Sequence, residues 1–168
     1  MPAARSRRRG AFAVPERELV IEVPGSRSLR LRHVILDFNG TLAGDGKLLP
    51  GVRPRLLRLA RKLSVAVLTA DTFGTARGAL RGLPVAIETV KTGIEKRRFV
   101  TARMGVVAIG NGRNDFGMME ASSLGILIVG PEGAAADALQ VADVVVRDVR
   151  DALDLLLRPK RIIATLRR

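Results

Sequence analysis

Short, uninterrupted apolar runs recur along most of the chain, and polar segments with a helical period separate them. Apolar runs that lack an alternating polar face predict strands that are covered on both faces of a sheet. The strands predicted in this way are 33–38, 65–70, 85–89, 106–110, 125–130 and 143–148.

The segments between these runs have the period of amphipathic helices. In 51–63, for example, Val52, Leu56 and Leu59 fall on one side and arginines on the other. The predicted helices are 51–63, 74–82, 95–104, 114–123, 133–141 and 148–157, and 160–168 adds one or two turns after Pro159. Strands alternating with helices predict an α/β fold of three layers, Rossmann-like, around a parallel sheet.

The N-terminal part has a different pattern. Residues 18–23 and 29–32 flank the turn sequence PGSRS and predict a β-hairpin, whereas 1–16 predict a disordered basic tail. No long linker divides the remainder. The prediction is therefore a single domain over 17–168, with the hairpin at 18–32 and the α/β core at 33–158.

Composition narrows the class of protein. Hydrophobic residues make up 47% of the 168 residues, which is typical of a globular chain. The absence of cysteine excludes disulfides and cysteine-based metal sites, and it suits a cytoplasmic protein. No apolar run approaches the roughly 20 residues that span a bilayer, so we expect no membrane partner.

The net charge of +13 would attract phosphorylated substrates or nucleic acid. Arginines on the solvent faces of helices explain this charge equally well. The chain has no tryptophan or tyrosine and 5 phenylalanines, so few aromatic rings are available to stack on bases. Nucleic acid is therefore an open partner but not the favoured one.

Polar residues cluster where the predicted strands end. Asp37, Asn39, Gly40 and Thr41 follow the first core strand. Thr69 and Ala70 end the second, the sequence GNGRND (110–115) follows the fourth, and Lys96 lies near the start of the helix before it. The carboxyl ends of parallel strands share one edge of a sheet, so these residues can converge on one crevice.

Their chemistry suits phosphoryl transfer. A carboxylate beside a glycine turn lies close to free backbone N–H groups, which can hold phosphoryl oxygens. A lysine offsets negative charge, and carboxylate oxygens bind Mg²⁺, a hard cation. Together these groups favour a reaction through an aspartyl-phosphate on Asp37.

The motifs DFNGTLA (37–43), VLTADT (67–72), a lysine and AIGNGRNDFGMMEAS (108–122) occur in an order that resembles the haloacid dehalogenase-like superfamily. Within it, the sequence looks most similar to the phosphorylation domain of P-type ATPases and to small soluble P-type-ATPase-like proteins. The resemblance covers roughly residues 33–158.

The resemblance implies a set of roles. Asp37 would be the nucleophile and a Mg²⁺ ligand, and Asn39 would offer its backbone carbonyl to the cation. Lys96 would neutralise charge, with Lys91 as its rival for that role. The phosphoryl group would be bound by Gly40, Thr41, Thr69, Ala70 and Asn114, and the remaining metal ligands would be Asn111 and Asp115.

Two departures from the family pattern remove negative charge. Asn39 stands where phosphatases of the family keep an acid/base aspartate, and Asn111 stands where a metal-ligand aspartate is usual. An amide keeps the shape of a carboxylate but transfers no proton at neutral pH. The nucleophile thus remains while the group that speeds attack by water is missing.

The sequence leaves no room for a cap domain between the motifs, which predicts an open crevice and favours association between copies of the chain. The prediction is a slow Mg²⁺-dependent phosphohydrolase acting on a phosphorylated substrate. The alternative is a catalytically weak scaffold used as a binding or interaction module, with nucleic acid as one candidate partner.

Overall fold

A six-stranded parallel sheet forms the centre of the computed structural model, which describes residues 17–71 and 74–168. The predicted tail at 1–16 lies outside the described residues. In chain order the strands are β1 (Leu19–Ile21), β2 (Leu29–Leu31), β3 (His33–Asp37), β4 (Ala43–Gly44), β5 (Lys47–Leu48), β6 (Ser64–Thr69), β7 (Ala86–Thr89), β8 (Val106–Gly110), β9 (Leu124–Ile128) and β10 (Val144–Val146).

The strand order of the central sheet is β10-β9-β8-β3-β6-β7, and β3 pairs in parallel with both β8 and β6. His33 is opposite Val106 on one side and Ser64 on the other. All six strands predicted for the core are present, and their pairing confirms the Rossmann-like α/β prediction.

The described residues form six α-helices, of which four lie between strands of the central sheet and two follow its last strand. They are α1 (Val52–Leu59), α2 (Thr75–Ala79), α3 (Gly93–Thr101), α4 (Phe116–Glu120), α5 (Val149–Leu157) and α6 (Lys160–Leu166). One helix prediction was wrong, because 133–141 forms only a short 3-10 helix at Ala136–Gln140. The backbone just before it is diverted toward the sheet, since Ala135 N donates to Asn111 O, and too few residues remain for a regular helix.

The helices cover both faces of the sheet. Val34 and Leu36 of β3 pack into a core with α1, α2, α5 and α6, while Ile35 faces the opposite core with α3 and α4. Successive strand residues point to opposite faces, so an unbroken apolar run fills both cores at once. This explains why the core strands lack polar alternation.

The predicted N-terminal hairpin is formed by β1 and β2, which pair antiparallel. Its Ile21, Leu29 and Leu31 are buried in the first of the two cores. The backbone beyond it is fixed by Gly105, whose carbonyl accepts hydrogen bonds from Arg32 N and His33 N. Gly105 has a φ of 69°, and a Cβ there would collide with Arg30 O.

Within the described residues, only the β4–β5 hairpin and α1 lie between β3 and β6, and a short loop joins β7 to α3. The C-terminal edge of the sheet therefore carries no cap domain in this part of the chain. None of the described helices combines the length and the apolar character that crossing a membrane requires.

Candidate active site

The candidate site lies where β3 and β8 end side by side at the centre of the sheet. The chain leaves β3 toward β6 on one side and leaves β8 toward β9 on the other. A crevice opens at such a switch point, outside the carboxyl ends of the strands. Asp37 ends β3, and the GNGRND turn follows β8.

A buried lysine joins two carboxylates in this crevice. Lys96 Nζ donates to Asp37 Oδ1 at 2.6 Å and to Asp115 Oδ1 at 2.7 Å. The lysine is 3% exposed and Asp115 is 0% exposed, so neither charge is screened by water. Lys96 is held in the first turn of α3, where the Thr92 hydroxyl accepts a hydrogen bond from Glu95 N and caps the helix.

The charges in this cluster compete. Burial raises the pKa of Asp37 to about 6, and the negative charge of Asp115 adds to the rise, although Lys96 opposes it. Burial acts to lower the pKa of Lys96, but the charges of Asp37 and Asp115 outweigh it and leave that pKa above its usual value. Two carboxylates around one ammonium leave an excess of negative charge.

Asp115 also fixes the turn after β8. Its Oδ2 accepts hydrogen bonds from Asn111 N at 3.0 Å and Gly112 N at 2.9 Å. Gly110 makes this approach feasible, because a Cβ at that position would collide with Asp115 Oδ2. Both carboxylate oxygens of Asp115 are thus engaged by the protein.

Thr41 connects the turns that follow β3 and β8. Its hydroxyl lies 3.3 Å from Asp37 Oδ2 and 3.3 Å from Asn111 Oδ1, and the side chain is 1% exposed. Asp37 Oδ2 and Asn111 Oδ1 are therefore held close to the same hydroxyl. Gly40 before it has a φ of 75°, which a residue with a side chain adopts only with strain.

Thr69 ends β6 beside the same crevice and is buried. Its hydroxyl oxygen accepts a hydrogen bond from Asp71 N at 3.1 Å. Asp71 in turn accepts a hydrogen bond from Ala76 N at 2.9 Å, so its carboxylate serves the backbone at the start of α2. Toward the residues that the structure describes, the Thr69 hydroxyl acts only as an acceptor, which makes its hydrogen a candidate contact for a ligand.

The structure brings most of the predicted site residues together around a cavity of about 140 Å³. Asp115 and Thr41 are buried and contact residues of its wall. Of the two rival lysines, Lys96 holds Asp37, whereas Lys91 is exposed. The lining residues are Asp37, Asn39, Thr69, Ala70, Val90, Lys91, Lys96, Asn111 and Asn114.

Sequence reasoning missed two residues near this cavity. Val90 belongs to its wall, directly after β7. The carboxylate of Glu132 approaches Gly40 from the loop after β9. Neither position has a motif to mark it, because a loop glutamate and a strand-end valine are common everywhere in α/β proteins.

The oxygen atoms around Asp37 fit the role of ligands to a Mg²⁺ ion. Asp37 Oδ2 and Asn111 Oδ1 lie around one hydroxyl, and hard oxygen ligands of this kind are those that Mg²⁺ prefers. The described residues contain no group of three His, Cys, Asp or Glu side chains that could hold a metal ion. Such a donor set therefore suits a cation that keeps part of its water shell.

Solved structures share this fold. A protein assigned to the HAD hydrolase family, from Streptomyces avermitilis, superposes with a TM-score of 0.61 at 14% identity over 75% of this chain and 88% of its own. The chain has the haloacid dehalogenase-like fold.

Two further structures with this fold are 3-deoxy-D-manno-octulosonate 8-phosphate phosphatases. The Moraxella catarrhalis phosphatase, in complex with magnesium, phosphate and KDO, has a TM-score of 0.63 and 15% identity over 82% of this chain and 94% of its own. The cobalt-bound Haemophilus influenzae phosphatase has a TM-score of 0.65 and 15% identity over 78% and 90%. The closer likeness to P-type ATPases stays a prediction.

Sequence relatives come from an archaeon. An uncharacterized protein of Methanocaldococcus jannaschii is 47% identical over 62 residues, which are 37% of this chain and 67% of that protein. A second uncharacterized protein of the same organism is 46% identical over 39 residues, 23% of this chain and 89% of its own length. The chain belongs to the same family as the first of these two proteins. No family model matches the sequence.

Proposed function

We propose that the protein is a Mg²⁺-dependent phosphohydrolase that acts through an aspartyl-phosphate on Asp37. The observation that carries the proposal is the buried contact of Lys96 with Asp37 and Asp115 at the switch point of the sheet. Buried charges are costly unless they are paired, and clefts that hold them are frequent functional sites. Phosphatases with the same fold support the assignment.

In the first step, a carboxylate oxygen of Asp37 attacks the phosphorus of the substrate. The bond from phosphorus to the leaving oxygen breaks, and that oxygen takes a proton from water. Lys96 donates to Asp37 Oδ1 and the Thr41 hydroxyl lies 3.3 Å from Asp37 Oδ2, and these two contacts orient the carboxylate for attack. We assign the Thr69 hydroxyl, at the end of β6, as the donor to a phosphoryl oxygen. The amides of Gly40 and Thr41 already donate to Ala43 O and Phe38 O within their own turn, so they are not free to bind it.

In the second step, water attacks the phosphorus of the aspartyl-phosphate. The bond from phosphorus to Asp37 breaks, inorganic phosphate leaves with both protons of the water, and the carboxylate is restored. Asn39 lines the cavity at the position where an acid/base group would act, but its amide accepts no proton. Hydrolysis of the intermediate is therefore slow.

A bound Mg²⁺ would supply positive charge to the phosphoryl oxygens. Asp37, the carbonyl of Asn39 and the amide oxygen of Asn111 would hold it. Asp115 is the remaining predicted ligand, and its oxygens already accept from Lys96 and two backbone amides. Asp115 thus adds negative charge beside the cation and fixes the turn that carries Asn111.

The size of the cavity bears on the substrate. About 140 Å³ accommodates a phosphoryl group, while the rest of a phosphate ester stays outside the crevice. The described residues place no cap over it, so large phosphorylated substrates can reach the site. We propose that the protein acts on such substrates in the cytoplasm.

A phosphatase assay on the Asp37→Asn variant tests the proposal. With p-nitrophenyl phosphate and Mg²⁺, we expect the parent to release phosphate and the variant to release none, because the amide is not a nucleophile. Asp151→Asn is the matched control, since it makes the same exchange at an exposed position of α5. Circular dichroism of all three proteins checks the fold.

Phosphate release by folded Asp37→Asn at the parent rate would exclude this site. If parent and variant are both inactive over a panel of phosphate esters, and RNA binds both with strong salt dependence, the protein is the binding module that the charge of +13 allows.

A further inference from the structure

The carboxylate of Glu132 approaches the turn that follows Asp37, although Glu132 lies 92 positions beyond Gly40 in the sequence. A Cβ on Gly40 would lie 2.5 Å from Glu132 Oε2 and 2.8 Å from Asn111 Nδ2. The two side-chain ends thus converge on one point above Gly40. The missing side chain of Gly40 is what allows both to reach it.

The loop after β9 presents Glu132 in a defined way. Gly133 N donates to Gly130 O at 2.8 Å, which closes a tight turn with Glu132 at its tip. The turn is bound to the site, because Asn111 Nδ2 donates to Gly133 O at 3.4 Å and Ala135 N donates to Asn111 O at 2.9 Å. These hydrogen bonds with Asn111 therefore hold the loop that contains Glu132.

The site has less negative charge than it would have with aspartates at positions 39 and 111, and a nearby carboxylate such as Glu132 offsets this difference. Asn39 and Asn111 are neutral, and Lys96 neutralises one of the two negative charges of Asp37 and Asp115. Mg²⁺ sites are strengthened by ligand charge. Among the described residues, no basic side chain forms a salt bridge with Glu132, even though the chain is strongly basic.

We propose that Glu132 supplies negative charge to a Mg²⁺ ion held by Asp37 and Asn111, acting through the water shell of the ion. This inference rests on the proposed function, since it assigns Glu132 to the same cation site. Mg²⁺ loses its water reluctantly, so a carboxylate beyond direct reach still binds through water. Glu132 is a positioning residue that substitutes for the charge absent at Asn111.

Mg²⁺ affinity, measured by calorimetry without substrate, tests this role. We expect Glu132→Gln to weaken Mg²⁺ binding about tenfold at low ionic strength, which corresponds to one charge acting across several ångströms of largely aqueous medium. The loss should shrink as salt is added, because Glu132 is exposed and its field is screened. Glu132→Lys should weaken binding further than Glu132→Gln.

Glu120→Gln and Glu120→Lys are the matched controls. Glu120 is an exposed glutamate at the end of α4, and its replacement changes the net charge equally. We expect these controls to stay within twofold of the parent. Circular dichroism confirms that all variants are folded.

Failure of this inference is distinguishable from failure of the proposed function. If Asp37→Asn abolishes Mg²⁺ binding while Glu132→Gln matches the parent and the Glu120 controls, the cation site stands and Glu132 has no part in it. If the parent binds no Mg²⁺ at millimolar concentration, the inference and the cation-dependent mechanism are both overturned.

Discussion

At the residue scale, two asparagines give this site less negative charge than aspartates at the same positions would give it. Asn39 lines the cavity beside Asp37, and Asn111 Oδ1 lies 3.3 Å from the Thr41 hydroxyl that also contacts Asp37. The two amides occupy different parts of the site. Replacing each by aspartate should therefore restore a different property.

Asn39→Asp should raise phosphatase turnover at saturating Mg²⁺. A positioned acid/base group is typically worth roughly 10²–10⁴-fold, and the carboxylate would accept the proton of the attacking water. Asn111→Asp should instead lower the Mg²⁺ concentration required for half-maximal rate, because it returns a charge to the cation site. Steady-state rates over a Mg²⁺ series separate the two effects.

Asn39→Gln is the control for a change of size without charge, and we expect no gain from it. Equal turnover of Asn39→Asp and parent at saturating Mg²⁺ would show that the amide does not limit the chemistry. The binding-module alternative would then be the better explanation of the chain.

The raised pKa of Asp37 predicts how the stability of the metal-free protein depends on pH. Folding raises this pKa from 3.8 to about 6, so the folded state holds the proton more tightly than the unfolded state. The resulting stability is complete below about pH 4 and is lost as the pH rises through about 6. A shift of roughly two units corresponds to about 3 kcal/mol.

Urea unfolding in a chelating buffer measures this effect. Asp37→Asn remains neutral, so its stability relative to the parent should increase between about pH 4 and pH 7 by up to that amount. Mg²⁺ should stabilise the parent at neutral pH and not the variant. A constant difference between the two proteins across the pH range would contradict the assigned pKa.

At the element scale, the sequence predicted the sheet better than the connections. The core strands were recognisable because runs such as 106–110 are apolar on both faces, and the structure buries every residue of β8. The segment 133–141 was mispredicted as a helix, since its alanines favour helix while Asn111 O draws Ala135 N away. Long-range backbone contacts of this kind leave no local trace in the sequence.

The same reason limited the prediction of the site. Motif order indicated Asp37, Thr69 and Lys96, and the carboxyl ends of parallel strands bring such residues together in any fold of this class. Glu132 was not predictable, because its approach depends on a loop whose path is set by Asn111 and by the absence of a side chain at Gly40.

The N-terminal cap of α3 should influence the site as well as the fold. Thr92→Ala removes the hydroxyl that accepts from Glu95 N, and loss of such a cap typically costs about 1 kcal/mol. We expect urea unfolding to show this loss, and phosphatase activity to fall because Lys96 lies in the capped turn. Thr92→Ser keeps the hydroxyl and should restore both; a serine variant as impaired as the alanine variant would exclude the cap as the cause.

At the scale of the whole molecule, the open crevice and the high charge act in opposite directions on association. The sheet edge at the site has no cap among the described residues, and β1 lies at the edge of a two-stranded hairpin with Val20 partly exposed. A neighbouring copy could cover either surface. A charge of +13 repels copies of the chain at low salt.

We therefore predict self-association that increases with ionic strength. Sedimentation velocity at micromolar concentration should show a species larger than the 18.1 kDa chain, in a proportion that rises between low and high salt. Val20→Lys adds charge to the exposed edge strand and should reduce that proportion. A single 18.1 kDa species under all conditions would contradict this prediction.

The hydrogen bonds that hold the two Asn-Gly turns, at Asn39-Gly40 and Asn111-Gly112, also control how fast these asparagines deamidate during storage. Deamidation of an Asn-Gly step requires the glycine nitrogen to attack the asparagine side chain, with loss of ammonia. Gly40 N donates to Ala43 O and Gly112 N donates to Asp115 Oδ2, so both nitrogens are occupied in the folded protein. Unfolding frees them, and a heated or poorly refolded sample would convert Asn39 partly to aspartate. Such a sample would gain hydrolytic activity with storage, a drift that intact-mass spectra would trace to its chemical origin.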